Sequence, residues 1–345
     1  MLIDRVLIVG LGSIGKRHLR LARELLPGAD IRVLRHQACD DVPEYADGCF
    51  SSLEQALAFG PKLAVIANPA TCHILAALPL AGAGVHLLVE KPISNISTDA
   101  LELVNLSLAQ HAVLAIGYNL RFLPSLRHFR ERICEGLIGN VWSVRAEIGQ
   151  YLPAWRPDTD YRHGVSARRA LGGGALLELS HEIDYLRWTF GEIDWVSATL
   201  SRQSNLEIDV EDTAHLILGF VPASGTSALI ANVNLDFLRH DASRLCTAIG
   251  EKGSLRWNGL TGEVQFYPAG ALAWQSLFNA PHQRDDSYRA QWQHVLACIR
   301  DGSRPLVSGE DGVQVLRIVE AARTSAETGG RARVSGDGQT AGMPA

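Results

Sequence analysis

The 345-residue chain contains no apolar stretch long and uninterrupted enough to cross a bilayer. No charged leader with an apolar core precedes the first strand-like run, which follows Met1-Leu2-Ile3-Asp4 almost at once. The six cysteines (Cys39, Cys49, Cys72, Cys134, Cys246, Cys298) form no C-x-x-C pair and no metal-ligand spacing, so they read as isolated thiols of a reducing compartment. A basic excess is also missing: the formal net charge is −5, which argues against a nucleic-acid partner, because displacing counterions from phosphates needs a basic surface. The one local basic cluster, Lys16, Arg17, His18, Arg20 and Arg23, falls in a helical pattern and reads as a solvated face. There is no internal repeat. What these absences leave is a globular protein expected in the cytoplasm, without membrane, nucleic-acid or metal partners, and long enough for two domains.

The chain changes character near residue 120. Before it, short apolar runs at Val6–Val9, Ile31–Leu34, Leu63–Ala67, Val85–Val89 and Val113–Ile116 alternate with helical patterns near Ile14–Leu26, Leu53–Phe59, His73–Ala81 and Thr98–His111. Continuous β-branched runs separated by helices predict a parallel sheet buried on both faces. Ser97 or Thr98 is the expected N-cap of the fourth helix, with Asp99 and Glu102 in its first turn. Beyond residue 120, Val144, Ala146 and Ile148 alternate with Arg145 and Glu147, as in a half-exposed antiparallel strand. Further strands are expected at Trp195–Leu200, Ala214–Phe220, Ser227–Val233, Leu245–Ile249 and Val264–Tyr267, with Gly250-Glu251-Lys252-Gly253 as a turn between two of them. One long helix fits Ala175–Phe190, and two more fit Tyr288–Arg300 and Glu310–Thr328. The last opens on Ser308-x-x-Asp311 and stops at Gly329-Gly330. The expected class is α/β: a doubly wound parallel sheet of the Rossmann type over residues 1–120 and an α+β domain over 121–334. The small, polar, glycine-rich tail at 335–345 is expected to be disordered.

Val6-Leu7-Ile8-Val9 runs directly into Gly10-Leu11-Gly12-Ser13-Ile14-Gly15 and then a helix, which is G-x-G-x-x-G in the setting a dinucleotide site requires. Gly10 makes the tight turn, Gly12 admits a pyrophosphate, and Gly15 lets the helix pack on the strand. Ser13 and Ile14 open that helix, whose first N–H groups and positive dipole end face the phosphates. An NAD site usually carries an acid about twenty residues past the loop to accept from the ribose 2′-OH. Here that place, after Ile31–Leu34, holds Arg35-His36-Gln37. Arg35 suits a 2′-phosphate, so NADP is favoured over NAD. The alternatives are Arg35 stacked on adenine in a site that takes either cofactor, and Asp40 or Asp41 reaching back. Glu90-Lys91-Pro92 closes the run Val85–Val89, putting Lys91 at the C-terminal end of a strand, where α/β sites form.

These motifs, with Ala67-Asn68-Pro69 and His73, Tyr118-Asn119-Leu120-Arg121-Phe122, Gly172-Gly173-Gly174 and His181-Glu182-Ile183-Asp184, together resemble the glucose–fructose oxidoreductase / inositol dehydrogenase / MocA family over nearly the whole chain. The resemblance implies a Rossmann domain followed by an α+β domain on a large, open, mostly antiparallel sheet, which commonly serves in homodimers or homotetramers. It implies an NAD(P)-dependent dehydrogenase or reductase acting on a CH–OH carbon of a sugar, cyclitol or sugar derivative. It places Lys91 near the nicotinamide and the reacting oxygen, with Glu90 orienting it or packing below the cofactor. Asn68, Pro69, His73 and Asn119 take places beside the cofactor. A cation suits the chemistry, because hydride loss from an alcohol carbon requires loss of the O–H proton as well. His181 is the expected acid/base, since imidazole titrates near working pH. The family often has an aspartate four residues before this histidine. That position is Leu177 here, and Glu178 stands three before it. On one continuous helix i and i+3 share a face, which makes Glu178 the candidate assistant. Glu178-x-x-His181 also matches a di-iron ligand pair but occurs once, so no metal is expected.

The candidate substrate contacts are Arg121, Tyr161, Arg162 and Asp184, since polyols are gripped by aromatic faces and bidentate donors. Arg156 or Arg162 facing the pocket would suit a phosphorylated or nucleotide-linked sugar. For Asp184 a structural hydrogen bond fits equally, and core aromatics explain the segment from Tyr151 to Arg162 almost as well. Two other classes stay open. One is an enzyme that keeps NAD(P) bound for transient oxidation during an isomerisation, elimination or glycoside cleavage; the other is a non-catalytic nucleotide-sensing regulator.

Overall fold

The computed structural model describes residues 3–35, 41–222 and 228–334. His36, Gln37, Cys39, Asp40, Ser227 and the tail at 335–345 lie outside them. The chain begins β1 (Arg5–Val9), α1 (Ser13–Leu25), β2 (Asp30–Leu34), β3 (Gly48–Phe50), α2 (Leu53–Phe59), β4 (Leu63–Ile66), α3 (His73–Gly82), β5 (His86–Val89), α4 (Ser97–Ala109) and β6 (Leu114–Ile116). These six strands form one sheet in the order β3-β2-β1-β4-β5-β6, and every pair is parallel. The residues of β4 are fully buried, as are Leu87, Leu88 and Val89 of β5. This two-sided burial is why these strands read as unbroken apolar runs. β3 was not legible in the sequence: three residues, two of them only half-buried, carry no period.

Because all six strands run the same way, the carboxyl ends of β1, β4, β5 and β6 share one edge. The glycine turn, Asn68-Pro69, Glu90-Lys91 and Gly117–Asn119 emerge there. The order reverses between β1 and β4, the switch point at which such sheets open a crevice.

The chain then continues with α5 (Pro124–Cys134), β7 (Val141–Gly149), α6 (Ala175–Glu178), α7 (His181–Phe190), β8 (Ile193–Ser201), β9 (Thr213–Phe220), β10 (Ile230–Asp236), β11 (Ser243–Gly250), β12 (Gly253–Asn258), β13 (Glu263–Pro268), β14 (Gln275–Asn279), α8 (Asp286–Asp301), α9 (Gly309–Thr328) and β15 (Ala332–Arg333). The nine strands order as β14-β13-β12-β11-β7-β10-β9-β8-β15. All pairs are antiparallel except β10 on β7. In β10 buried Ala231, Val233 and Leu235 alternate with exposed Ile230, Asn232 and Asn234, the period of a sheet with one covered face. Beneath that cover Trp257 is fully buried. Its indole N–H donates to Ser125 Oγ of α5 at 3.0 Å, and its ring meets Tyr185 of α7 edge-on at 5.3 Å.

Two compact units result. The first runs to Asn119 and adds Asp285–Leu316; the second takes Leu120–Arg284 and the chain from Arg317. Helix α8 therefore packs with the first unit, although sequence order alone puts it in the stretch 121–334. Trp292, Val295 and Ile299 of α8 share a core with Val6, Ile8, Leu19 and Leu21. Asp285, just before α8, pairs with Arg17 and Arg20 of α1.

Several local expectations change. The helix expected over Ala175–Phe190 is two helices: Ser180 N–H turns back to Leu177 O and Glu182 N–H to Leu179 O, i→i−3 bonds that break the α pattern. Neither Ser97 nor Thr98 caps α4; Ile96 holds the cap position and both lie in the first turn. The Ser308–Asp311 box does form, with Ser308 N–H donating to Asp311 Oδ2 at 2.9 Å and Asp311 N–H to Ser308 Oγ at 3.3 Å. Cys49 is disulfide-bonded rather than a free thiol, whereas Cys72, Cys134, Cys246 and Cys298 are free. Among the described residues no helix is long and apolar enough to cross a membrane.

Candidate active site

The glycine turn is built by close approach. Gly10 has φ +89°, and a Cβ there would lie 2.7 Å from Asn68 N. A Cβ on Gly15 would lie 2.2 Å from Gly10 O, so only glycine lets α1 sit this close to the turn. A Cβ on Gly12 would meet nothing within 4 Å among the described residues, which leaves room over the turn. Gly12 caps α1 without a side-chain bond and the first turn holds no acid, so the N–H groups at Ser13 and Ile14 keep their positive pole for an anion. At the end of β2, Arg35 N–H donates to Phe50 O at 3.1 Å and its guanidinium reaches Asp41 O at 3.4 Å.

Asn68 and His73 clip the edge together. Asn68 Nδ2 donates to Cys72 O at 3.1 Å, while its Oδ1 is buried with no hydrogen-bond partner among the described residues. His73 is buried, one ring nitrogen 2.9 Å from Asn68 O and the other 2.9 Å from Pro92 O. It thus bridges the loop after β4 and the loop after β5. Pro69 starts the turn that leads into α3, accepting from Cys72 N–H at 2.8 Å. Asn119 donates through Nδ2 to Ser287 Oγ at 2.7 Å, which fixes the turn after β6.

Lys91 is half-buried and stands one residue beyond Glu90, which follows β5, with a cis bond to Pro92. Its N–H donates to Glu90 Oε2 at 3.2 Å. The other oxygen, Oε1, lies 2.7 Å from His18 Nε2, and His18 Nδ1 lies 2.9 Å from Trp292 Nε1. His18 is fully buried, so it does not belong to a solvated face as the basic cluster suggested; Lys16 of that cluster is exposed. Sequence reasoning missed both His18 and Trp292. The signal for His18 was present, because Ile14, His18, Leu21 and Leu25 stand at helical spacing on one face. Nothing in the sequence pointed to Trp292.

In the second unit the glycine segment is threaded just as tightly. A Cβ on Gly173 would lie 2.3 Å from Val165 O, and one on Gly174 (φ +112°) 2.3 Å from Glu211 Oε1. Glu211 accepts from Leu176 N–H at 3.1 Å, and burial pushes its carboxyl above the usual range. Glu178 accepts from Ser166 Oγ at 2.9 Å. It ends α6 and His181 begins α7, so the pair spans a turn of i→i−3 bonds rather than one continuous helix. His181 is half-buried at the head of α7.

The candidate substrate residues separate into two groups. Arg121 and Asp184 are buried and face each other, Nε to Oδ2 at 3.0 Å and Nη2 to Oδ1 at 2.6 Å. This fork geometry supports the structural reading of Asp184. Tyr161 and Arg162 lie on an outer loop. Tyr161 Oη accepts from Glu207 N–H at 3.3 Å, and exposed Arg162 pairs with both Asp160 and Glu207 at 2.8 Å. Arg162 in turn holds Asp160 down at about 2. Of the aromatic segment, Trp155 stacks edge-on against Phe237 at 5.3 Å, as a packing residue does.

A glycine turn packed on its own helix at the switch of a doubly wound sheet, with a lysine on the same edge, defines a dinucleotide-binding α/β protein. Residues 5–118 match the oxidoreductase family's NAD-binding Rossmann fold and residues 130–334 its C-terminal alpha/beta domain. The chain belongs to the Gfo/Idh/MocA oxidoreductase family. An oxidoreductase of Synechocystis sp. is 29% identical over 220 residues, 60% of this chain, and the match spans little more than half of that protein, 57%. Myo-inositol 2-dehydrogenase of Thermotoga maritima is 26% identical over 271 residues, covering 76% of this chain and 77% of that protein. Levoglucosan dehydrogenase in complex with NADH and levoglucosan superposes with a TM-score of 0.83 at 21% identity, over 95% of this chain and 98% of that one.

His73 makes stability depend on pH. Burial pushes its imidazole below 6.5, outweighing the two carbonyl contacts that favour the charged ring. His86 is lowered as well, chiefly by desolvation. Below 6.5 the unfolded chain therefore binds protons that the folded chain does not, and stability present above that pH is lost as pH falls through it. We expect the melting temperature to drop between about pH 7 and about pH 5, less steeply in His73→Gln. Equal slopes in parent and variant, read by thermal scans, would remove His73 from the account.

Proposed function

We propose that this chain is an NAD(P)-dependent dehydrogenase of an unphosphorylated sugar or cyclitol. The first unit serves the cofactor and the second the substrate. The observation that carries the reading is Lys91: half-buried, at the carboxyl end of β5, on the edge that also carries the glycine turn. The residues suit a dinucleotide. Gly12 is open, the start of α1 is uncapped by any side chain, and Asn68 Oδ1 is a buried acceptor in need of a donor such as a ribose hydroxyl or a carboxamide. Glycines 10 and 15, with Ser13 and Ile14, hold the phosphates, while Asn68, Pro69, His73 and Asn119 shape the wall beside them.

The bound nicotinamide supplies the hydride acceptor or donor. Lys91 stabilises negative charge developing on the substrate oxygen, and Glu90 directs it from below. His181, from the second unit, takes or returns the hydroxyl proton. Glu178, which accepts from Ser166 Oγ, is the candidate assistant of His181. Arg162 is already matched by two carboxylates, which speaks against a phosphate-bearing substrate. The dehydrogenases of myo-inositol and levoglucosan among the relatives point to the same class of substrate. Arg35, at the end of β2, meets the 2′-phosphate of NADP. The uncovered face of the second sheet, which presents Arg145, Glu147, Ser197, Thr199, His215 and Asn234, suits self-association into a dimer or tetramer.

Nicotinamide absorbance against a panel of sugars and cyclitols tests the reading directly; silence with both cofactors would sink it. On a responding substrate, Lys91→Met should lower kcat about 100-fold or more while the NADH Kd stays within a few-fold. Parental turnover in that variant would end the assignment of Lys91. His181→Ala should also cost about 100-fold in kcat, with partial rescue by added imidazole; full activity without imidazole would count against it. Arg35→Asp should move the ratio of NADP to NAD affinity about tenfold toward NAD. An unchanged ratio in fluorescence titrations would refute the 2′-phosphate contact.

A further inference from the structure

We infer that His18 and Trp292 are positioning residues for Lys91, acting through the carboxylate of Glu90. The inference rests on the proposed role of Lys91 and extends it to two residues that reach no ligand, since both are fully buried. The indole N–H of Trp292 can only donate, so His18 Nδ1, 2.9 Å away, presents its lone pair. The ring proton is therefore on Nε2, which donates to Glu90 Oε1 at 2.7 Å. The other carboxylate oxygen accepts the Lys91 N–H at 3.2 Å. The network is polarised in one direction only, from α8 through α1 to the end of β5.

The carboxylate also has nowhere to turn. Glu90 is 7% exposed, and a Cβ on Gly117 would fall 2.8 Å from its Oε2. With both oxygens held and the slot closed, the direction of the Lys91 N–H, and with it the start of the lysine side chain, follows from where His18 stands. His18 is steadied by its neighbours: Tyr288 lies edge-on at 5.9 Å, and Asp285 ties the start of α8 to Arg17 and Arg20. Leucine at position 18 would fill the core equally well but leave a buried carboxylate oxygen without its donor. Packing alone therefore does not account for the histidine.

The chain has four lysines, Lys16, Lys62, Lys91 and Lys252, so acetylation of Lys91 can be followed by mass spectrometry against Lys62 and Lys252, with neither cofactor nor substrate present. We expect Trp292→Phe and His18→Leu to raise the relative acetylation rate of Lys91 about threefold and to lower kcat on a responding substrate about tenfold, with KM and the NADH Kd within about threefold. His18→Gln, whose amide can accept from Trp292 and donate to Glu90, should restore both readouts. The inference is overturned if Trp292→Phe melts lower yet keeps the parental labelling ratio and kcat, or if His18→Gln behaves like His18→Leu. If Lys91→Met retains turnover, the proposed role of Lys91 fails by itself, and the labelling ratio still decides whether the relay positions that residue.

Discussion

A carboxylate buried at the end of a parallel strand sets the terms for the first unit. Removing Glu90 from water is costly, and leaving either oxygen unmatched would cost about 3 kcal/mol or more. The match is made by the Lys91 N–H on one side and the His18 ring on the other. It requires glycine at 117, where any side chain would strike the carboxylate, and a donor behind His18, which α8 brings. The place of α8 in this unit, the burial of a histidine on α1 and the geometry at Lys91 are one connected requirement. The glycine turn depends on the same packing, since α1 both follows that turn and carries His18.

The second unit applies a similar rule to a different backbone. Its glycine segment passes so close to Val165, Ser166 and Glu211 that side chains are excluded, and the polar groups left over are matched in place. Arg121 and Asp184 satisfy each other in a nearly sealed pair, which ties the start of this unit to α7, the helix that His181 begins. The role proposed for His181 asks for a half-buried imidazole at a helix start, and the structure places one there. The acid three residues upstream of it, Glu178, is tied to the surround of the glycine segment through Ser166 Oγ.

Much of this was readable from residue order. Long-period signals survive: the two-sided apolar strands, the strand–glycine–helix turn and the capping box at Ser308 each rest on contacts within a few residues. Most alternating strands of the second sheet were legible for the same reason, since their pattern records one wet and one dry face, although β12 was not. Short or weakly patterned pieces were lost, among them β3, β14 and β15. The break between α6 and α7 was lost too, because Leu179 and Ser180 are compatible with a continuous helix.

The sequence by itself determined the class of fold, the cofactor turn and the lysine at a strand end, because these follow from local spacing and from the direction of parallel strands. Only the tertiary structure decided that α8 belongs with the first unit, that His18 faces inward to Glu90, and that Arg121 and Asp184 answer each other. Those are pairings between residues as far apart in the chain as His18 and Trp292. No periodicity encodes them, because burial and hydrogen-bond matching are settled only when distant segments meet.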